Sequence, residues 1–301
     1  MDMFATTERF YDDSKTRCRI VSRSPGGGGI NVARNLQRLG LKVMAVYPAG
    51  GHHGDLLENM LRQEGLPAMR VPIDCETTQN IALSESATGK NLHLVFPGAV
   101  LTRPEWQACQ DAIEKLQPGP RMLVISGSLP PEIPTDFFAQ VIRQCHQQGV
   151  KVVLDTSGPA LQHALDAGVY LAKLNREDFT AQGYGGEDTP QARIRMMRQM
   201  VVNGMAEHLV LTLGPNGALL ASRSGECLHV RPPPVTVVSH AGAGDSFVSV
   251  MTCKLFQNHP VAEAFAYGVA AAASAISTPG NQLEDLDWLE EVYRGVKVEA
   301  L

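Results

Sequence analysis

From about residue 40 onward the chain repeats one device, a short β-branched or aliphatic run followed by a longer amphipathic stretch. Apolar runs of strand length that alternate with helix-period segments fit few architectures. The simplest is a largely parallel sheet covered by helices on both faces. Core strands are predicted at Leu41–Tyr47, Met122–Ser126, Val150–Asp155, Val169–Leu174 and His208–Leu213. Helices are predicted at Ile30–Leu39, Gly54–Glu64, Pro104–Leu116, Thr135–Gln148, Pro190–Val202 and Ala243–Phe256. With 301 residues, 44% hydrophobic and 19% charged, the chain can bury one large core or two modest ones, which excludes a disordered chain and a disulfide-stapled miniprotein.

Two regions break the rhythm. Around residues 3–23 and 70–96 apolar and polar residues alternate, as in Ile81 and Leu83 against Ala82 and Ser84, and the turn Ala87-Thr88-Gly89-Lys90 lies between such runs. A small sheet built from 1–23 and 70–98, serving as a lid or an interface, is therefore expected on an α/β core made of 24–69 and 99–301. A solvated hairpin would show the same alternation.

The net charge of −5 argues against nucleic acid or an anionic membrane as partner. The six cysteines, Cys18, Cys75, Cys109, Cys145, Cys227 and Cys253, show neither CxxC nor zinc-ligand spacing. Met1-Asp2-Met3-Phe4 has no secretory character and no apolar run is long enough to span a bilayer, so a cytoplasmic location is expected. The apolar Ala262–Ile276 segment carries Glu263 and many small residues, which suits a tightly packed helix.

Chemistry concentrates in loops. Pro25-Gly26-Gly27-Gly28-Gly29-Ile30-Asn31 puts four glycines at a helix start, where bare amides can approach a polyhydroxylated or anionic ligand; a flexible turn has the same composition. Ala241-Gly242-Ala243-Gly244-Asp245-Ser246 opens an apolar helix with small residues, an anion cradle beside a carboxylate. That carboxylate can take the proton of an attacking alcohol in phosphoryl transfer, or can merely offset the helix dipole. Thr212-Leu213-Gly214-Pro215-Asn216-Gly217 follows a strand, where a nucleotide can sit or the chain can simply turn. Lys173, Asn175 and Asp178 end another strand with types suited to a phosphate and its Mg²⁺, although helix capping also explains Asn175 and Asp178. Neither a Walker A sequence nor a dinucleotide fingerprint is present.

In this order, the Gly-rich loop with Asn31, Ser126-Gly127-Ser128-Leu129-Pro130, the Asn175 segment, Thr212–Gly217 and Gly242-Ala243-Gly244-Asp245 resemble the ribokinase-like, or PfkB, carbohydrate kinase family. The resemblance covers essentially the whole chain and is strongest to the hexose-phosphate branch that contains the phosphofructokinases. It implies a three-layer α/β/α sandwich with a mainly parallel sheet and a small β lid, which in close relatives also forms a dimer contact. It further implies ATP and Mg²⁺ as cofactors and a sugar phosphate as substrate, with 6-phosphofructokinase, 1-phosphofructokinase and tagatose-6-phosphate kinase activities as the near alternatives and a weakly catalytic binding protein as the other class.

By the same resemblance Asp245 is the base, and the amides of Gly242, Ala243 and Gly244 hold the transferring phosphoryl group. Asp2, Gly27, Gly28, Asn31 and Ser128 grip the sugar, and Lys15 and Arg17 are lid cations. Lys173, Asn175, Thr212, Gly214 and Gly217 lie along ATP, Asn281 and the Ala271–Ser274 helix lie near adenine, and Asp178 arranges Mg²⁺ through water. The chain also departs from the family. A core strand normally precedes the substrate-binding aspartate, but here only Met1 precedes Asp2, so the first core strand is expected to be missing from this sequence, through a true start upstream or, second, a sheet that has lost a strand. Thr78 and His93 stand where the branch carries phosphate-binding arginines, and Asp178 replaces a glutamate.

Overall fold

The computed structural model describes residues 1–184, 189–239, 241–278, 283 and 285–301. They form two compact units. The first comprises Met1–Ile30, Met44–Lys115 and Pro130–Ile133, and the second Asn31–Val43, Leu116–Leu129 and Pro134–Leu301.

The first unit holds β1 (Asp2–Thr7), β2 (Arg19–Ser24), the opening of α1 (Gly28–Arg38), β3 (Ala45–Ala49), α2 (Gly51–Gln63), β4 (Ala68–Pro72), β5 (Asn80–Glu85), β6 (Asn91–Leu94) and α3 (Arg103–Glu114). The two alternating regions join into one four-stranded sheet of order β2-β1-β5-β6, parallel between β1 and β5 and antiparallel elsewhere. Directly opposed side chains share a face. One face therefore carries Ile20, Ala5, Leu83 and Leu92 in one row and Met3, Ile81 and Leu94 in the next. The other face carries Asp2, Asn80, Ser84, Asn91 and His93.

β3 and β4 form a separate parallel pair, so Arg70–Pro72 belong there and not to the small sheet that the alternation suggested for them. Two helix starts are held by carboxylates, one local and one distant in sequence. Glu105 accepts from the Thr102 backbone amide at 2.6 Å in a capping box on α3, and the Glu76 carboxylate accepts from the His52 and His53 amides that open α2, at 3.2 and 2.5 Å. β1, which opens at Asp2, is the first strand of the described residues.

The second unit holds most of α1 and then β7 (Met122–Ser126), α4 (Phe137–Gln147), β8 (Lys151–Asp155), α5 (Pro159–Asp166), β9 (Val169–Leu174), α6 (Arg176–Phe179), α7 (Pro190–Val202), β10 (Ala206–Thr212), β11 (Ala218–Ser222), β12 (Cys227–Arg231), α8 (Ala243–Phe256), α9 (Val261–Ile276), α10 (Leu286–Arg294) and β13 (Lys297–Ala300). Its seven-stranded sheet is parallel from β7 to β10 and continues antiparallel through β11 and β12 to β13. Val153, Leu171, Val210, Leu220 and Val230 meet α1, α8 and α9 in one apolar cluster. Strand residues between them, such as Leu154, Ala172 and Leu209, are buried on the opposite face, where α4 packs on β8, α5 on β9 and α7 on β10 and β11. Three layers result, as the alternating pattern requires.

The expected strand Leu41–Tyr47 begins instead at Ala45. Closure of α1 consumes its first residues. Gly40 adopts φ 83°, the Leu41 amide bonds the Leu36 carbonyl at 3.0 Å, and Leu41 and Val43 pack into the second unit's core. α9 is buried on nearly every side and reaches α8 through small residues; a Cβ on Gly268 would lie 3.1 Å from the Phe247 ring. Phe247 and Phe265 meet edge-on with centroids 6.1 Å apart. No described helix is long and apolar enough to cross a membrane.

Phe265 is fully buried in this seam. Phe265→Ala is expected to destabilise the protein by about 3–5 kcal/mol, read as a lowered denaturant midpoint with an unchanged slope. A shift of less than about 1 kcal/mol would show that the α8–α9 seam collapses around the cavity.

Candidate active site

α8 starts from Gly242, whose φ of 77° is the left-handed conformation that lets the chain turn sharply into the helix. Ser246 donates its amide to the Gly242 carbonyl at 2.8 Å, and Asp245 falls in the first turn, half-buried. The amides of such a helix start, together with the positive end of its dipole, favour an anion. α1 supplies the orienting contacts. Asn31 Nδ2 donates to Asp245 Oδ2 at 2.8 Å. One turn further along the same face, Asn35 donates to Ser246 Oγ at 3.4 Å and accepts the Leu283 amide at 3.1 Å. Both asparagines are buried, at 5% and 0% exposure, so neither side chain has bulk solvent as an alternative partner.

The carboxyl ends of the parallel strands deliver charge to the same place. Lys173, near the end of β9, pairs with Asp155, the last residue of β8, at 2.6 Å, and both side chains are largely buried. A Cβ on Gly244 would stand 3.3 Å from Lys173 Nζ and 3.9 Å from Asp155 Oδ2, so the pair lies directly against the anion loop. Asp178 belongs to this group electrostatically. Burial raises its carboxyl pKa first, the Asn175 hydrogen bond and Lys173 pull it down, and Asp155 and Glu177 push it up. Asn175 is the N-cap of α6, accepting the Asp178 amide at 2.7 Å, so capping accounts for its side chain in full view of the strand end.

A cavity of about 540 Å³ opens beside the loop, lined by Thr212, Gly214, Pro215 and Gly217, by Ala243, Gly244 and Phe247, and by an apolar end that includes Pro232–Pro234, Val269, Ala272, Ala273 and Ile276. That size suits a small organic ligand. Gly217 is obligatory in its wall: it has φ 84°, and a Cβ would stand 1.9 Å from the Val230 carbonyl. Ser128 lies exposed in the loop after β7, which is tied to the end of β8 by the Gly127 amide on the Asp155 carbonyl at 3.0 Å and by Thr156 Oγ1 on the Gly127 carbonyl at 2.8 Å.

Among the residues expected from sequence, Asn31, Lys173, Asp178, Gly244 and Asp245 are thus gathered in the second unit, and Thr212, Gly214 and Gly217 line its cavity. Asn281 lies outside the described residues. In the first unit Asp2 opens β1 with its carboxylate over Gly26, where a Cβ would come within 2.4 Å of it. Gly27 has φ 103° and Gly28 begins α1. Lys15 and Arg17 are exposed on the β1–β2 connection, Thr78 donates its hydroxyl to the Pro97 carbonyl at 3.1 Å, and His93 is exposed on β6. Sequence reasoning missed Asp155 and Asn35. Asp155 could have been found as an acid at the carboxyl end of a parallel strand, where ligands collect.

The residues fit a hydrated Mg²⁺ held jointly with a nucleotide's phosphates. Two carboxylates, Asp155 and Asp178, repel each other beside one lysine, and oxygen is the donor that hard cation prefers. Among the described residues no group of three or more His, Cys, Asp or Glu side chains forms a protein-only metal cage.

Known proteins resemble this chain along nearly its whole length. Residues 1–288 match the model of the pfkB family of carbohydrate kinases. The chain is 37% identical over 295 residues to the ATP-dependent 6-phosphofructokinase isozyme 2 of Escherichia coli strain K12, covering 97% of this chain and 94% of that one. Phosphofructokinase-2 from E. coli in complex with substrates and products superposes with a TM-score of 0.91 at 36% identity, over 97% of this chain and 95% of that one. Its tetrameric inhibited form superposes with a TM-score of 0.88 at 36% identity, over 97% and 94%. The helix-start carboxylate, the strand-end lysine and the glycine-walled cavity therefore stand in a chain that belongs to the pfkB family of carbohydrate kinases.

Proposed function

We propose that this ATP-dependent sugar kinase carries the γ-phosphoryl group of ATP to the primary C1 hydroxyl of fructose-6-phosphate, with Asp245 as general base. The Asn31–Asp245 hydrogen bond of 2.8 Å carries the reading, because it holds a carboxylate in one orientation at the mouth of an anion-binding helix start. In the proposed step the sugar hydroxyl gives its proton to Asp245 while its oxygen attacks the γ-phosphorus. The bond to the β-phosphate oxygen breaks and ADP leaves. The amides of Gly242, Ala243 and Gly244 and the ammonium of Lys173 meet the charge on the migrating group. Thr212, Gly214 and Gly217 border the nucleotide, whose base takes the apolar end of the cavity. Asp178 and Asp155 would hold a Mg²⁺ ion, which would supply neutralising charge to the triphosphate. Asp2, Lys15, Arg17, Gly27, Gly28, Asn31 and Ser128 are assigned to the sugar phosphate, and Asn175 to the nucleotide side. Charged substrates that do not cross membranes place the enzyme in the cytoplasm.

The acceptor is sorted by ADP formation with Mg-ATP against fructose-6-phosphate, tagatose-6-phosphate and fructose-1-phosphate. With the best acceptor, Asp245→Asn is expected to lower kcat by about 10²–10⁴ while leaving ADP affinity within about twofold. Unchanged turnover would remove Asp245 as the base.

Thr78 and His93 stand where a sugar phosphate would meet guanidinium groups, and the Thr78 hydroxyl is already engaged by Pro97. Thr78→Arg is expected to lower the KM for fructose-6-phosphate about tenfold, the value of one charge-assisted contact, with little change in the KM for ATP. An unaltered KM for the sugar phosphate would show that its phosphate binds elsewhere.

The apolar face of the four-stranded sheet supports a homodimer through that sheet. Ile20, Leu92 and Leu94 are 48%, 45% and 38% exposed there, and Val95 and Phe96 prolong the apolar surface. A row that is its own complement suits a two-fold contact. Leu92→Glu is expected to yield monomers in sedimentation at micromolar concentration, and an unchanged sedimentation coefficient would put the contact elsewhere.

A further inference from the structure

We infer that His229 is a positioning residue for nucleotide binding: its imidazole, reaching from β12, holds the turn that lines the cavity. The inference rests on the reading of that cavity as the nucleotide site.

The turn Gly214–Asn216 is a single 3₁₀ turn closed by the Gly217 amide on the Gly214 carbonyl at 3.0 Å, and Leu213 donates to the Gly217 carbonyl at 2.7 Å. Those bonds fix its internal shape. Its position depends on what stands behind it, and β12 does so with two adjacent residues. The Val230 carbonyl fills the space where any side chain at 217 would go. His229 Nε2 lies 2.9 Å from the Asn216 carbonyl oxygen, and since a carbonyl cannot donate, Nε2 carries the proton and donates.

The ring is 3% exposed, and its Nδ1 has no hydrogen-bond partner among the described residues. A buried nitrogen without a partner is a cost that an aliphatic residue would avoid. What an aliphatic residue cannot supply is the bond to Asn216. A leucine would remove the unpartnered nitrogen but also the bond to the turn, whereas holding the turn needs a side chain whose donor sits at the Nε2 position. Glutamine places its Nε2 at similar reach. Asparagine is polar too, but it is one methylene short.

The test compares His229→Gln, His229→Asn and His229→Leu in the full chain, by steady-state kinetics with Mg-ATP and fructose-6-phosphate varied in turn and by calorimetric titration with ADP. His229→Asn and His229→Leu are expected to raise the KM for ATP and the Kd for ADP about fivefold, the value of one neutral hydrogen bond, with kcat and the KM for fructose-6-phosphate within about twofold of the parent. His229→Gln is expected to stay within about twofold on every parameter. If the leucine variant does not fold, the Gln and Asn pair decides the matter, since both bury one amide and differ in reach. Equal behaviour of Gln and Asn, or losses spread evenly over kcat and both KM values, would overturn the role. Gly217→Ala separates this failure from that of the underlying reading: it forces the turn off Val230, and unchanged ADP binding in that variant would mean the cavity is not the nucleotide site, whatever His229 does.

Discussion

The contact between α1 and the first turn of α8 is the constraint on which the chemistry of the second unit rests. Beyond that turn α8 is buried from Ser246 to Cys253, so its amide-rich end cannot shift along its axis without dragging a packed helix through the core. Asn31 and Asn35 then fix the polar groups at that end, one through a carboxylate and one through a hydroxyl. A carboxylate near a helix start is stabilised wherever it points. The asparagine decides where it points. Burial sets the position of the amides, and hydrogen bonding sets the orientation of Asp245.

Charge in the second unit is graded along the same direction. Lys173 answers Asp155 at the strand ends, while Asp178, further along, feels burial and two acids against one lysine, and its carboxyl rises above the ordinary aspartate range. A buried ion pair costs desolvation that its own attraction only partly offsets. Such a pair at the carboxyl ends of parallel strands makes more sense as a prepared site for phosphate and a divalent cation than as a source of stability. The cavity continues the gradient, from this charged end to a wall of proline, valine and alanine. An adenine nucleotide has the matching polarity.

Legibility followed burial and period. Strands β7 to β10 were readable because parallel strands covered on both faces are continuous aliphatic runs, as in Val152-Val153-Leu154. β11 and β13 were not, because Ala218–Ser222 holds no β-branched residue and Lys297–Ala300 is a four-residue exposed edge with no apolar run. The stretch from Leu41 to Val43 has strand composition, but closing α1 claimed its backbone, and no periodicity in those residues discloses that competition. In the site, loops with unusual composition stood out, so the glycines and Asp245 were visible. Asp155, Asn35 and His229 were not, because each acts through a partner distant in sequence: Lys173 on β9, Ser246 and Leu283 beside α1, and the Asn216 carbonyl in the turn after β10.

The four-stranded sheet shows how far a period of two can be pressed into service. Asp2 and Asn80 stand opposite each other on one face with His93 two residues further along, while Met3, Ile81 and Leu94, each one step away, stand together on the other. The polar face that holds Asp2 and the apolar face that holds Leu94 are therefore the two sides of one pleat. A slip of one residue would exchange them, putting a carboxylate among the apolar row and leucines among the polar one. Two features hold that register at its edges. β1 pairs with β2 through an irregularity between Phe4 and Ala5, and the Asn80 amide donates to the Met1 carbonyl at 2.8 Å where β5 begins. The same bond lowers the freedom of the segment that carries Asp2, so the register that builds the apolar face also places the aspartate.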